Sequence, residues 1–88
     1  MSQPIQSVLN AFAVLEAVAG SQPVGLSETA RLTGLPKTTV LRCLLTLQEA
    51  GWLLPSSDGR SAWSLTNKSL LMGMRSAPAG DQIGRAHV

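Results

Sequence analysis

The sequence predicts a mainly α domain, three short helices closed by a small β-hairpin, and three observations carry that expectation. Two helix-length segments between Ser27 and Gly51 are separated by the turn sequence Thr33-Gly34-Leu35-Pro36. An apolar helix-length stretch, Ser7 to Ala19, precedes them. Two short apolar runs follow, Trp52 to Leu54 and Ala62 to Leu65, around the loop Pro55-Ser56-Ser57-Asp58-Gly59-Arg60-Ser61. With 88 residues there is room for one such domain and no second core.

The stretch Ser7 to Ala19 (SVLNAFAVLEAVA) reads as an amphipathic helix with Val8, Phe12, Leu15 and Ala19 along one stripe. It lacks a basic flank, because the first Lys or Arg is Arg31, and Asn10 and Glu16 interrupt it. It is therefore expected to be neither a secretory signal nor a bilayer span. A core helix in a cytoplasmic protein is expected. Ser21-Gln22-Pro23 breaks it, and Val24-Gly25-Leu26 reads as a short extended link.

Ser27 then suits a helix N-cap, since its hydroxyl can accept from first-turn amides, and Glu28 favours the positive end of the helix dipole. Gly34 ends this helix by tolerating positive φ. Pro36 fits the first position of the next helix, where its missing N–H would be unpaired anyway. On a wheel of about 100° per residue, Lys37 to Ala50 separates into two faces. Val40, Leu44 and Leu47 fall together with Cys43 at their edge, and Thr38, Leu41, Arg42 and Leu45 lie opposite, flanked by Lys37 and Thr39. The first face is expected to pack inward.

In the hairpin, Trp63 and Leu65 alternate with Ala62 and Ser64, so one face can cover the helical core. Thr66 or Asn67 caps a last helix containing Leu70, Leu71 and Met74. A hairpin directly behind the second of two turn-linked helices is the layout of a winged helix-turn-helix, in which the second helix enters the DNA major groove. The polar opening of that helix fits the role. Arg42 has the bidentate fork that reads a base edge, Lys37, Thr38 and Thr39 suit phosphates, and Leu41 offers an apolar contact to a thymine methyl. Ser27 at the first helix and Arg60 at the wing tip complete the expected DNA-binding set, although Asp58 weakens the field around Arg60.

At this point the chain resembles the IclR-type bacterial transcriptional regulators over roughly Gln6 to Gly73. The resemblance rests on SVLNAFAVLEAVA, on GLSETARLTGLPKTTVLRCLLTL, on Gly51-Trp52, on Trp63 and Leu65 in the wing, and on the closing SLLMG. It implies operator binding as a dimer through the first and linker helices. It also implies a larger C-terminal domain, absent from this chain, that binds a small-molecule effector, and a role as repressor or activator. Three positions depart from the pattern: Asn10 where arginine is frequent, Leu41 where a polar or aromatic residue is frequent, and Thr66 in place of a glycine.

The expected organisation is a winged helix-turn-helix over residues 1–66, the start of a linker helix over 67–75, and a disordered tail over 76–88. Ile83 to Val88 can be encoded by ATC GGA AGA GCA CAC GTC, the start of a widely used short-read sequencing adapter. Adapter read-through is therefore expected there, with the natural sequence leaving off near Asp81; any other codons in the underlying nucleotides overturn that reading.

Composition sets limits on the alternatives. A net charge of +2 is small for a DNA binder, but Pro36 to Gln48 carries Lys37 and Arg42 and no acid. Few phosphate contacts per protomer favour a dimer on a two-fold site. One Cys and one His make neither a disulfide nor a usual zinc site, so no metal or cofactor is expected, and Cys43 reads as core filler. No His or Cys is paired with an acid at helical spacing, and no glycine loop cradles phosphate, so an enzyme is not expected. The competing function is a winged-helix protein-interaction module without DNA binding, which would favour an acidic or wholly apolar outer face on the second helix.

Overall fold

A computed structural model describes residues 2–76. The chain runs through α1 (Gln6–Ser21), β1 (Val24–Gly25), α2 (Leu26–Thr33), α3 (Lys37–Glu49), β2 (Leu53–Pro55), β3 (Ala62–Leu65) and α4 (Lys68–Ser76). Helices α1, α2 and α3 pack on one another, and an antiparallel sheet in the order β1-β3-β2 closes the core. This is the winged helix-turn-helix architecture that the sequence predicts. The tail from residue 77 onward, including the adapter-like Ile83 to Val88, lies outside the described residues.

The core joins every layer. Val14 and Val18 from α1 meet Val40, Cys43, Leu44 and Leu47 from α3, and Val24, Leu53 and Trp63 close it from the three strands. The inner face expected for α3 is the buried one. Helix α1 corrects the expectation. Its buried positions are Val14 and Val18, with Ala11 and Leu15 partly buried beside them, whereas Val8 and Phe12 are 45% and 56% exposed and Ala19 is exposed too. The helix is apolar almost all round, so periodicity offers several stripes. The stripe facing α3 is built from alanine and β-branched valine, compact side chains that let two helices approach closely.

The turn between α2 and α3 is held at both ends. Gly34 sits at φ 75°, and its amide donates to the Ala30 carbonyl at 2.8 Å; only glycine adopts this left-handed conformation without strain. The Thr33 hydroxyl donates to the Thr29 carbonyl at 2.8 Å and accepts from the Leu35 amide at 3.3 Å, tying the turn to its own helix. Ser27 is not the N-cap. That position belongs to Gly25, and Ser27 lies within the first turn. The start shifts because Val24 and Gly25 form a strand, so the chain bends into the helix at Leu26. The Thr29 hydroxyl, fully buried, donates back to the Gly25 carbonyl at 2.7 Å and fixes that bend. Pro36 likewise stands one residue outside α3, as its N-cap, with its carbonyl accepting from the Val40 amide at 2.9 Å.

Helix α3 ends in a two-bond left-handed cap. The Gly51 amide donates to the Gln48 carbonyl at 3.0 Å and the Trp52 amide to the Leu47 carbonyl at 2.9 Å, with Gly51 at φ 88°. This cap turns the chain straight into β2. In the hairpin, Leu53 pairs with Leu65 and Pro55 with Trp63. The segment read as an extended link is a strand: Val24 pairs with Trp63 and Gly25 with Ala62. Beyond β3, the Thr66 hydroxyl donates to the Gly51 carbonyl at 2.7 Å and accepts from the Lys68 amide at 3.2 Å, anchoring the start of α4 to the end of α3.

Candidate nucleic-acid interface

Helix α3 presents two unlike faces because one of them is consumed by the core. With Val40 and Leu44 fully buried, the helical period forces Thr38, Leu41, Arg42 and Leu45 outward, and all four are exposed. Lys37 is exposed in the first turn, and Thr39 is half-buried toward α1. The structure thus brings Lys37, Thr38, Thr39, Leu41 and Arg42 onto one helix end. Ser27 lies on α2 and Arg60 on the hairpin loop, elements other than the helix that carries that cluster.

The electrostatics of this end are uncompensated. Among the described residues, neither Lys37 nor Arg42 makes an ion pair, and α3 has no acid in its first turn. Pro36 supplies no side-chain acceptor to the first-turn amides. Free amides at the positive end of a helix dipole are donors suited to a phosphate oxygen. A groove of about 360 Å³ runs between this helix and α1, with Ser7, Val8 and Asn10 on one wall and Thr39, Arg42 and Thr46 on the other.

Arg60 behaves differently. It pairs with Asp58 at 3.5 Å, and its amide donates to the same carboxylate at 3.1 Å. The Ser56 hydroxyl also donates to Asp58. The hydrogen bond from Ser56, then that from the Arg60 amide, hold the Asp58 carboxyl below its ordinary pKa. Arg31 is likewise taken up by Glu28, whose carboxyl is lowered first by that hydrogen bond. Lys68 donates to the Ala50 carbonyl at 3.1 Å and stands 5.5 Å from the Trp52 ring centroid. Burial pushes the Cys43 thiol pKa up, against the opposing pull of Arg42, in keeping with a packing residue.

Two residues escaped the sequence-based site. Gln48 accepts from the Trp63 indole N–H at 3.0 Å and so ties α3 to the hairpin; a glutamine on a helix gives no sequence signal of that partner. Leu45 shares the outward face with Arg42, and the helical wheel places it there, although it was not among the expected contacts. Among the described residues no cluster of His, Cys, Asp and Glu has the arrangement of a metal site, and no helix is long and apolar enough to cross a membrane.

Residues 7–55 match the family model of the IclR helix-turn-helix domain. The chain is 29% identical over 84 residues to the HTH-type transcriptional regulator KdgR of Escherichia coli, an alignment covering 96% of this chain and 32% of KdgR. It therefore spans about a third of the length of that curated relative. Among solved structures, HmgR of Pseudomonas aeruginosa superposes with a TM-score of 0.74 at 25% identity, covering 85% of this chain and 31% of HmgR. An IclR-family transcriptional regulator of Brucella abortus gives 0.75 at 27% identity, covering 88% and 30%.

Proposed function

The chain belongs to the IclR helix-turn-helix family of transcriptional regulators, and from that premise we propose that it binds double-stranded DNA in the cytoplasm with α3 in the major groove. The observation that carries this reading is the pair of cations Lys37 and Arg42, neither of them ion-paired among the described residues, on a helix whose opposite face is buried in the core. Arg42 reads a guanine edge with its two-pronged guanidinium, and Leu41 meets a thymine methyl. Lys37, Thr38 and Thr39, with the first-turn amides of α3, hold phosphates and set the register. Ser27, in the first turn of α2, contacts the backbone that the first helix of the motif crosses. Arg60 reaches phosphate or the minor groove when it leaves Asp58.

Binding is dimeric in this proposal. Ile5 at the N-cap of α1 and Val8, Leu9 and Phe12 on the helix are exposed, and Leu70, Leu71, Met72 and Met74 are exposed on α4. A two-fold pairing of these surfaces hides both and places two copies of α3 on half-sites about 34–36 Å apart, one turn of DNA, or a multiple of it. Response to a small-molecule effector, and with it repression or activation, belongs to the C-terminal domain implied by the family resemblance.

The test is fluorescence anisotropy of the protein against labelled mixed-sequence duplex at low and moderate salt. Binding is expected to weaken with salt by roughly 0.9 in log K per log unit for each phosphate neutralised. A folded protein that binds no duplex even at low salt overturns the proposal in favour of a protein-interaction module.

A further inference from the structure

Two large aliphatic side chains stand on the outward face of α3 and keep a substantial part of their surface in solvent. Leu41 and Leu45 are 37% and 49% exposed, and neither belongs to the buried core cluster. They lie one turn apart, on the face that also carries Thr38 and Arg42. They are also separate from the exposed apolar stripe of α1, whose partner in the proposal above is a second copy of the chain. Beyond Arg42, the next hydroxyl on the helix is already committed, since Thr46 donates to the Arg42 carbonyl at 2.7 Å. The second turn of the outward face therefore offers a ligand methyl groups, with one guanidinium beside them.

We infer that Leu41 and Leu45 form a strip that reads the C5-methyl groups of thymines flanking the guanine contacted by Arg42. The inference rests on the DNA-binding reading and deepens it by naming a second specificity residue, Leu45, and the base chemistry it selects. Thymine is the base that presents an apolar group in the major groove; the other base edges there are hydrogen-bond donors and acceptors that a leucine cannot satisfy. Placing leucine against such an edge strips water from polar atoms without replacing the bonds, so the same strip that attracts a methyl rejects cytosine and the purines. The spacing fits. Side chains four apart on a helix have Cβ atoms about 5–6 Å apart, whereas successive nucleotides advance about 3.4 Å along a strand. The pair therefore spans one to two base steps, and the half-site should be rich in thymine beside its guanine.

The experiment begins by selecting duplexes from a random library with the full chain. Affinities are then measured for the selected duplex and for copies in which deoxyuridine replaces thymine, one position at a time. Deoxyuridine keeps the hydrogen-bonding edge and removes only the methyl. Loss of a buried methyl-sized contact is expected to weaken binding about fourfold per contacted thymine, from the transfer value of a buried CH₂ converted at room temperature. The salt slope should not change, because no phosphate contact is lost. Leu41→Ala and Leu45→Ala should each abolish the discrimination at one thymine while retaining a cooperative thermal melt, with the smaller shift in Leu45→Ala because that side chain is the more exposed. Equal affinity of the wild type for thymine and deoxyuridine duplexes overturns the inference and leaves DNA binding intact. Failure to enrich any duplex overturns DNA binding and the inference with it.

Discussion

Helix α3 and the wing each carry an arginine toward solvent, and the difference between them is one of commitment. Arg42 stands on a helix with no acid before Glu49, and its guanidinium makes no ion pair among the described residues. Arg60 is held by Asp58, which is itself bonded to Ser56. The six-residue loop between β2 and β3 folds back far enough for an acid two positions away to offset its cation. A helix of straight geometry sends neighbouring residues to different sides. Two cations of equal formal charge therefore differ in what they can offer a phosphate or base. The net charge of +2 understates the helix and overstates the wing.

The largest expected effect breaks the scaffold under both regions. Leu44 is fully buried between α1 and the sheet, so Leu44→Ala should cost about 2–5 kcal/mol of stability by opening a cavity. Thermal melting checks this, and a wild-type melting temperature would mean the faces of α3 are reversed. Next comes Arg42→Ala, expected to cost about 1–3 kcal/mol on a selected site if the contact is to guanine, with melting unchanged because the side chain is exposed. Unaltered affinity and base preference would remove Arg42 from the interface.

A third change severs the link between the two regions. Gln48→Ala leaves the part-buried Trp63 indole N–H without its acceptor and should cost about 1–2 kcal/mol of stability, readable in denaturant unfolding. The smallest effect belongs to the wing. Arg60→Ala should weaken DNA binding by less than Arg42→Ala does, whereas Asp58→Asn should steepen the salt dependence by releasing Arg60. The tie also has a pH signature. Because the folded-state pKa of Asp58 lies below its ordinary 3.8, the interaction is intact at neutral pH and is lost only as pH falls through that lowered value. The Arg60 amide resonance should titrate with a midpoint below 3.8; a midpoint at or above it would show that the loop bonds do not persist in solution.

Sequence alone determined the order of helices and hairpin, the turn at Gly34 and the inner face of α3. In each case the cause is local: a positive φ that glycine accepts, or a polar–apolar period that only one face of a helix can satisfy. The cluster of Lys37, Thr38, Thr39, Leu41 and Arg42 was legible for the same reason, since one helix brings its neighbours together without help from the fold. Tertiary structure decided what local chemistry leaves degenerate. Helix α1 is apolar on several sides, and only its packing against α3 selects Val14 and Val18 over Val8 and Phe12. The strand at Val24–Gly25 exists because β3 presents a free edge, which moves the start of α2 and leaves Ser27 inside the first turn. Gln48 gains its role from Trp63, 15 residues away. Arg60 has its field partly offset by Asp58 in a turn whose closure depends on β2 pairing with β3. Long-range contact sets these outcomes, because a residue's partner across space leaves no period in the sequence around it.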